Sequence, residues 1–192
     1  MILPIVAYGS PVLRKVCDDI NNDYPGLEKL IADMWETMYA SNGVGIAAPQ
    51  VNKNIRLFII DSEQIFKNMD EDDEDDYPDE PGFKGVFINA HIAEQNGNEW
   101  LYTEGCLSIP KIREDVSRKE SVTLSYVDEN FVQHTKTFNG ITARVILHEY
   151  DHIEGKLFID HIKPLKRTLL KRKLDDISRG KVQVDYRMVF PK

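Results

Sequence analysis

The sequence predicts an α+β fold, a mainly antiparallel sheet around a central helix, with a further helix near the C-terminus. Two observations carry this reading. Helical apolar spacing appears early in the chain and twice again near its end, while strand-like runs rich in β-branched and aromatic residues fill the middle. The order of helix, several strands, then helix is that of segregated elements rather than alternating βαβ units.

Taken in order, Asp23 and Pro25 supply a helix start, Leu27, Leu30, Ile31, Met34 and Met38 recur at helical spacing, and Asn42-Gly43 supplies the stop, so 25–41 reads as an amphipathic helix. "IRLFIID" (55–61) is a buried type of strand. "GVFINAHI" (85–92) and "WLYTEGCLSI" (100–109) are two more, and 121–138 reads as a hairpin turning at Asp128-Glu129-Asn130. Asn139 is placed to cap a helix running to Gly155, with Ile141, Val145, His148 and His152 along its spine. A last helix over 164–179 would pack Leu165, Leu169 and Leu170 inward, and the alternating tail "KVQVDYRMVFP" could add a strand. No internal repeat interrupts the pattern.

The 192 residues suit one domain with one substantial core, and 42% hydrophobic with 29% charged residues is ordinary for a globular chain. No apolar run approaches the roughly 20 residues of a membrane-spanning helix. The start lacks the basic region of a signal peptide, and two cysteines make no disulfide framework, so a cytoplasmic setting is expected. A net charge of −8 argues against gripping nucleic acid over the whole surface. That charge is uneven. Residues 70–80 carry nine acids in eleven, within an expected solvated insertion at about 62–84, whereas 163–181 hold eight Lys and Arg against two Asp.

The most informative stretch is "RVILHEYDHIEGKLF". His148 and His152 stand at i and i+4, so on a helix both imidazoles leave one face and can share a cation. Glu149 then lies beside the open side of that cation, where a carboxylate can exchange a proton with water. Two surface histidines on a charged helix would give the same letters. If a metal is bound, a third ligand is needed. The metzincin continuation would put it at Phe158, which cannot ligate, and a thermolysin-like carboxylate has no better candidates than Asp175 and Asp176. Cys106, a thiol at the end of an apolar run beside Gly105, is the natural third ligand, with a small buried hydrophobe as its plainer alternative.

Three stretches stand together: "GVGIAAPQ" (43–50), "EGCLS" (104–108) and "HEYDH" (148–152). In order and spacing they closely resemble the three motifs of peptide deformylases, over roughly residues 4–165. The resemblance implies a metal-dependent hydrolase that removes the formyl group from the initiator methionine of new polypeptides and releases formate. It implies Cys106, His148 and His152 as metal ligands, Glu149 as general base and then acid, and two oxyanion donors, the Gln50 side-chain amide and the Leu107 backbone N–H. Val44, Gly45 and Gly105 would pair with the peptide as an added strand. Val44, Tyr102, Ile141 and Val145 would wall a methionine pocket, with a Glu104–Arg113 ion pair at its rim. Arg144 would line the pocket mouth or face water. The implied cofactor is one divalent ion, Fe²⁺ physiologically, while Zn²⁺, Ni²⁺ or Co²⁺ also suit one thiolate and two imidazoles. The implied partners are N-formylmethionyl peptides and nascent chains. The basic C-terminal helix could meet the ribosome through phosphate contacts, although a solvated helix face explains it equally well. The chain departs from the usual pattern at Pro49, which removes one backbone donor, and at Leu147, where family members often carry Gln.

Overall fold

The computed structural model describes residues 1–68 and 82–191. In chain order these form strand β1 (Ile5–Val6), helix α1 (Leu27–Ala40), β2 (Gly45–Ala47), β3 (Leu57–Asp61), helix α2 (Glu63–Lys67), β4 (Lys84–Cys106), β5 (Ile109–Val127), β6 (Gln133–Asn139), helix α3 (Gly140–Ile153), helix α4 (Pro164–Ser178) and β7 (Met188–Val189). Strands β2-β3-β4-β5-β6 make one sheet in that order, antiparallel throughout, and β1 pairs with β7 in parallel. The expected α+β architecture is therefore present. Of the insertion expected at about 62–84, residues 69–81, which include the whole acidic run, lie outside the described residues, and its first part is α2.

Helix α1 follows the expected spacing, with Leu27, Leu30, Ile31, Met34 and Met38 all buried against β3 and β4 residues. Two expected strands are in fact one. Residues 84–106 run as a single 23-residue strand, because Gly97 at φ +82° is absorbed as an irregularity between Asn96 and Glu99 instead of turning the chain. Its partner β5 begins at Ile109, twelve residues before the expected start at 121, so β4 and β5 form a long two-stranded arm.

Helix α3 packs across the sheet, and Ile141, Ala143, Val145, Ile146, Leu147 and Ile153 join Phe58, Phe87 and Val122 in one apolar cluster. Asn139 occupies the N-cap position, yet its side chain makes no capping hydrogen bond, contrary to expectation. Helix α4 also differs from expectation. Leu170, Leu174 and Ile177 form its buried stripe, while Leu165 and Leu169 are 75% and 74% exposed. The stripe meeting the core is thus the i, i+4, i+7 row starting at Leu170, and Leu165 and Leu169 fall on the neighbouring, outward row. No helix is long and apolar enough to cross a membrane among the described residues.

Candidate metal centre

The i, i+4 spacing on α3 brings His148 and His152 together, their ring centroids 5.3 Å apart. Cys106 reaches them from the end of β4. Gly105 pairs with Arg113 but Cys106 pairs with Ile109, so β5 carries extra residues there, with Lys111 at φ +62°. Such a bulge re-aims the strand's side chains. The Cys106 Sγ lies 3.2 Å from His152 Nε2, and one ligand atom from each of Cys106, His148 and His152 falls within 4.8 Å of the others. These three are the His, Cys, Asp or Glu side chains that converge to hold an ion among the described residues. Phe158 does not ligate; its ring stacks against His148 at 6.0 Å.

Behind the ligands lies a buried charge cluster. His148 Nδ1 donates to Glu104 Oε2 at 2.8 Å, which turns Nε2 toward Cys106 and the ion site. Glu104 also accepts from Arg118 Nε at 2.6 Å and Arg144 Nη1 at 3.0 Å. Arg118 in turn donates to Asp151 Oδ2 at 2.7 Å, and the same oxygen lies 2.7 Å from His161 Nε2. This corrects the expected Glu104–Arg113 ion pair. Glu104 is opposite Glu114 and Trp100 opposite Arg118, so strand alternation puts Arg118 on the Glu104 face and Arg113 on the other. Arg113 is exposed and donates to the Thr103 carbonyl at 3.4 Å. Arg144 does not face water; it is buried and also donates to the Val116 and Trp100 carbonyls.

By the protein groups alone, burial opposes ionisation of the Cys106 thiol, but His152 and His148 outweigh it and bring its pKa down to about 5. Burial likewise opposes charge on His148, while hydrogen bonds with Cys106 and Glu104 hold the imidazolium well above its usual range. Burial also disfavours the Glu104 carboxylate, yet His148 and Arg118 keep it far below the usual carboxylate range. A thiolate beside a stored positive charge is an arrangement that a cation can replace. The donor set of one sulfur and two imidazole nitrogens, with a carboxylate orienting one ring, fits a transition-metal dication.

Glu149 sits beside these ligands. Burial raises its pKa to about 7, and its Oε2 has no hydrogen-bond partner among the described residues. A Cβ on Gly45 would stand 2.6 Å from Glu149 Oε1, so the carboxylate's position requires glycine at 45. At Gly105 a Cβ would make only ordinary contact, 3.4 Å from Arg113 Cγ, so packing within the protein places no such demand there. Gln50 Oε1 accepts from the Ala47 N–H at 2.8 Å. That turns its Nε2 toward Ser108 Oγ at 3.3 Å and Cys106 Sγ at 3.5 Å. The Leu107 N–H has no hydrogen-bond partner among the described residues.

All of this opens on one cavity of about 270 Å³, lined by Val44, Gly45, Gln50, Tyr102, Glu104, Gly105, Cys106, Leu107, Arg113, Ile141, Arg144, Val145, His148 and Glu149. His152 sits behind it, 1% exposed. Each pocket residue expected from the sequence is on this wall. Asn42, Gly43, Ile65 and Thr103 also line it and are not among the site residues expected from the sequence. Ile65 on α2 lines the cavity, and its neighbour Gln64 donates to the Gly43 carbonyl at 3.0 Å. Both precede the acidic run, and a five-residue helix has too short a pattern to announce itself.

A family model described as polypeptide deformylase matches residues 2–168. A peptide deformylase of Christiangramia forsetii is 53% identical over 191 residues, covering 100% of this chain and 97% of that relative. One from Flavobacterium psychrophilum is 54% identical over 188 residues, covering 98% of this chain and 96% of the relative. A crystal structure of a peptide deformylase from Legionella pneumophila aligns with a TM-score of 0.77 at 35% identity, over 94% of this chain and 98% of that one.

Proposed function

The chain belongs to the peptide deformylase family and is a metal-dependent hydrolase that removes the N-formyl group from nascent peptides; from that premise we propose how its residues divide the work. Cys106, His148 and His152 hold the ion. When bound, the ion supplies Lewis-acid chemistry, polarising the formyl carbonyl and making water acidic enough to attack near neutral pH.

Glu149 is the proton carrier. Its carboxylate is buried, its Oε2 has no hydrogen-bond partner among the described residues, and burial raises its pKa to about 7, which suits a group that takes a proton from water and returns it to the leaving amine. Gln50 and Leu107 stabilise the oxyanion. The Gln50 amide is oriented through its oxygen by Ala47, and the Leu107 N–H has no partner among the described residues to surrender. Strand β2 is at the end of the sheet order, so its free edge can accept the peptide as an added strand along Val44 and Gly45, with Gly105 on the facing side. Val44, Tyr102, Ile141 and Val145 give the cavity the apolar wall that a methionine side chain needs. Glu104 and Arg144 shape its base through their buried bonds, and Arg113 lies at its rim.

Fe²⁺ is the ion proposed for the cell, in keeping with the family resemblance, and Zn²⁺, Ni²⁺ and Co²⁺ suit the same donors. The chain is proposed to act as one domain in the cytoplasm. The basic face of α4 would approach the ribosome, supported by Lys166, Arg167, Lys171, Arg172 and Lys173 on one exposed helix. The observation that carries the reading is the convergence of Cys106 on two histidines beside a buried Glu149 whose Oε2 has no hydrogen-bond partner among the described residues. Anaerobically purified protein should release formate from formyl-Met-Ala-Ser, lose that activity on chelation and regain it with Fe²⁺ or Ni²⁺. Turnover that persists after complete metal removal would refute it.

A further inference from the structure

The family model ends at residue 168, but the chain runs on through α4 into a tail that returns to the metal-side turn. The tail is anchored by backbone. Strand β7 pairs with β1, the Ile5 N–H donates to the Arg187 carbonyl at 2.9 Å, and the Ala7 N–H donates to the Val189 carbonyl at 2.8 Å. Just before this anchor, Tyr186 packs into the same apolar cluster as Leu107, and its hydroxyl donates to the Leu107 carbonyl at 2.8 Å.

Leu107 and Ser108 are the two residues between β4 and β5. The Tyr8 N–H donates to the Ser108 carbonyl at 2.8 Å, and Gln50 Nε2 reaches the Ser108 hydroxyl at 3.3 Å. Tyr186 adds a hydrogen bond to the backbone of Leu107 itself. The Leu107 carbonyl and N–H lie in adjacent peptide planes joined by that residue's φ and ψ; with Cys106 paired to Ile109 on one side and Ser108 held by Tyr8 on the other, fixing the carbonyl plane leaves the N–H plane little room to rotate. A donor aimed at a developing charge acts through being held in place beforehand.

We propose that Tyr186 is a positioning residue for the reaction: by holding the Leu107 carbonyl it keeps the Leu107 N–H aimed at the oxyanion, so a tail beyond the matched family region completes the active site. This rests on the role given to Leu107 above. It differs from a packing role, in which the tyrosine ring alone would matter.

The test compares the full-length parent with Tyr186→Phe, which keeps the ring and removes the hydroxyl. Steady-state formate release from formyl-Met-Ala-Ser is measured with bound metal quantified, and the Leu107 amide order parameter is measured by NMR on the zinc-loaded proteins. The expected result is a kcat about tenfold lower, the scale of one lost hydrogen bond, with KM and metal content unchanged. The Leu107 order parameter should fall from the rigid range near 0.85 toward the flexible range below about 0.6. Parental kcat, or an unchanged order parameter, overturns the proposal. Loss of metal along with kcat also overturns it, by moving the effect to Cys106. A parent that releases no formate refutes the deformylase roles instead, and the order parameter still decides whether Tyr186 holds the turn.

Discussion

Helices α3 and α4 have almost the same length, 14 and 15 residues, and opposite relations to the core. Eleven residues of α3 are buried, among them Arg144, Glu149, Asp151 and His152, whereas α4 buries only Leu170, Leu174 and Ile177. On α3 even the charged side chains are enclosed, and Arg144 and Asp151 are tied to Glu104 and Arg118 of the β4–β5 arm, so those positions are fixed by several partners at once. On α4 a narrow apolar stripe holds the helix down and the rest meets solvent. The helix proposed to aim metal ligands and a proton carrier is enclosed; the one that covers an edge of the core is not.

Substitutions should therefore separate the two helices sharply. The largest effect is expected at Glu149→Ala, where turnover should fall about 10²–10⁴-fold while metal content is retained. Equal turnover with full metal would mean that the proton carrier is another group. Next, Leu174→Ala should destabilise the fold by about 2–5 kcal/mol in chemical denaturation, as buried leucine truncations do. A change near zero would show that α4 is not held by that stripe. Glu104→Gln keeps the side chain's shape and removes its charge, and it should weaken metal affinity about 10–100-fold by competition with a chelator. Unchanged affinity would reduce Glu104 to packing. At the small end, Leu169→Ser on the outward row of α4 should alter stability by no more than about 0.5 kcal/mol, and a larger loss would reveal a contact covering that face.

The same contrast explains what the sequence made legible. His148, Glu149 and His152 sit within one helix, where fixed geometry turns spacing into position, and Cys106 followed from the need for a third ligand. Gly45 was read as substrate edge, and its second role, making room for the Glu149 carboxylate, depends on a contact across the fold. The Glu104–Arg118–Asp151–His161 chain was not legible, because it depends on the register of the β4–β5 arm and on strand alternation carried over many residues. The expected Glu104–Arg113 pair failed for that reason. On α4 three leucines look alike in sequence, and only docking decides that Leu170 goes inward while Leu165 and Leu169 do not. Tyr186 touches Leu107 from 79 residues away, a separation no local pattern spans.

The most direct test of the central claim is formate release from formyl-Met-Ala-Ser by anaerobically prepared, Fe²⁺-loaded parent and Cys106→Ser proteins, with bound metal measured in each. The expected result is turnover in the parent and loss of both metal and turnover in the variant. Full turnover and full metal in Cys106→Ser would contradict it, since the thiol would then be a core side chain and the third ligand would lie elsewhere.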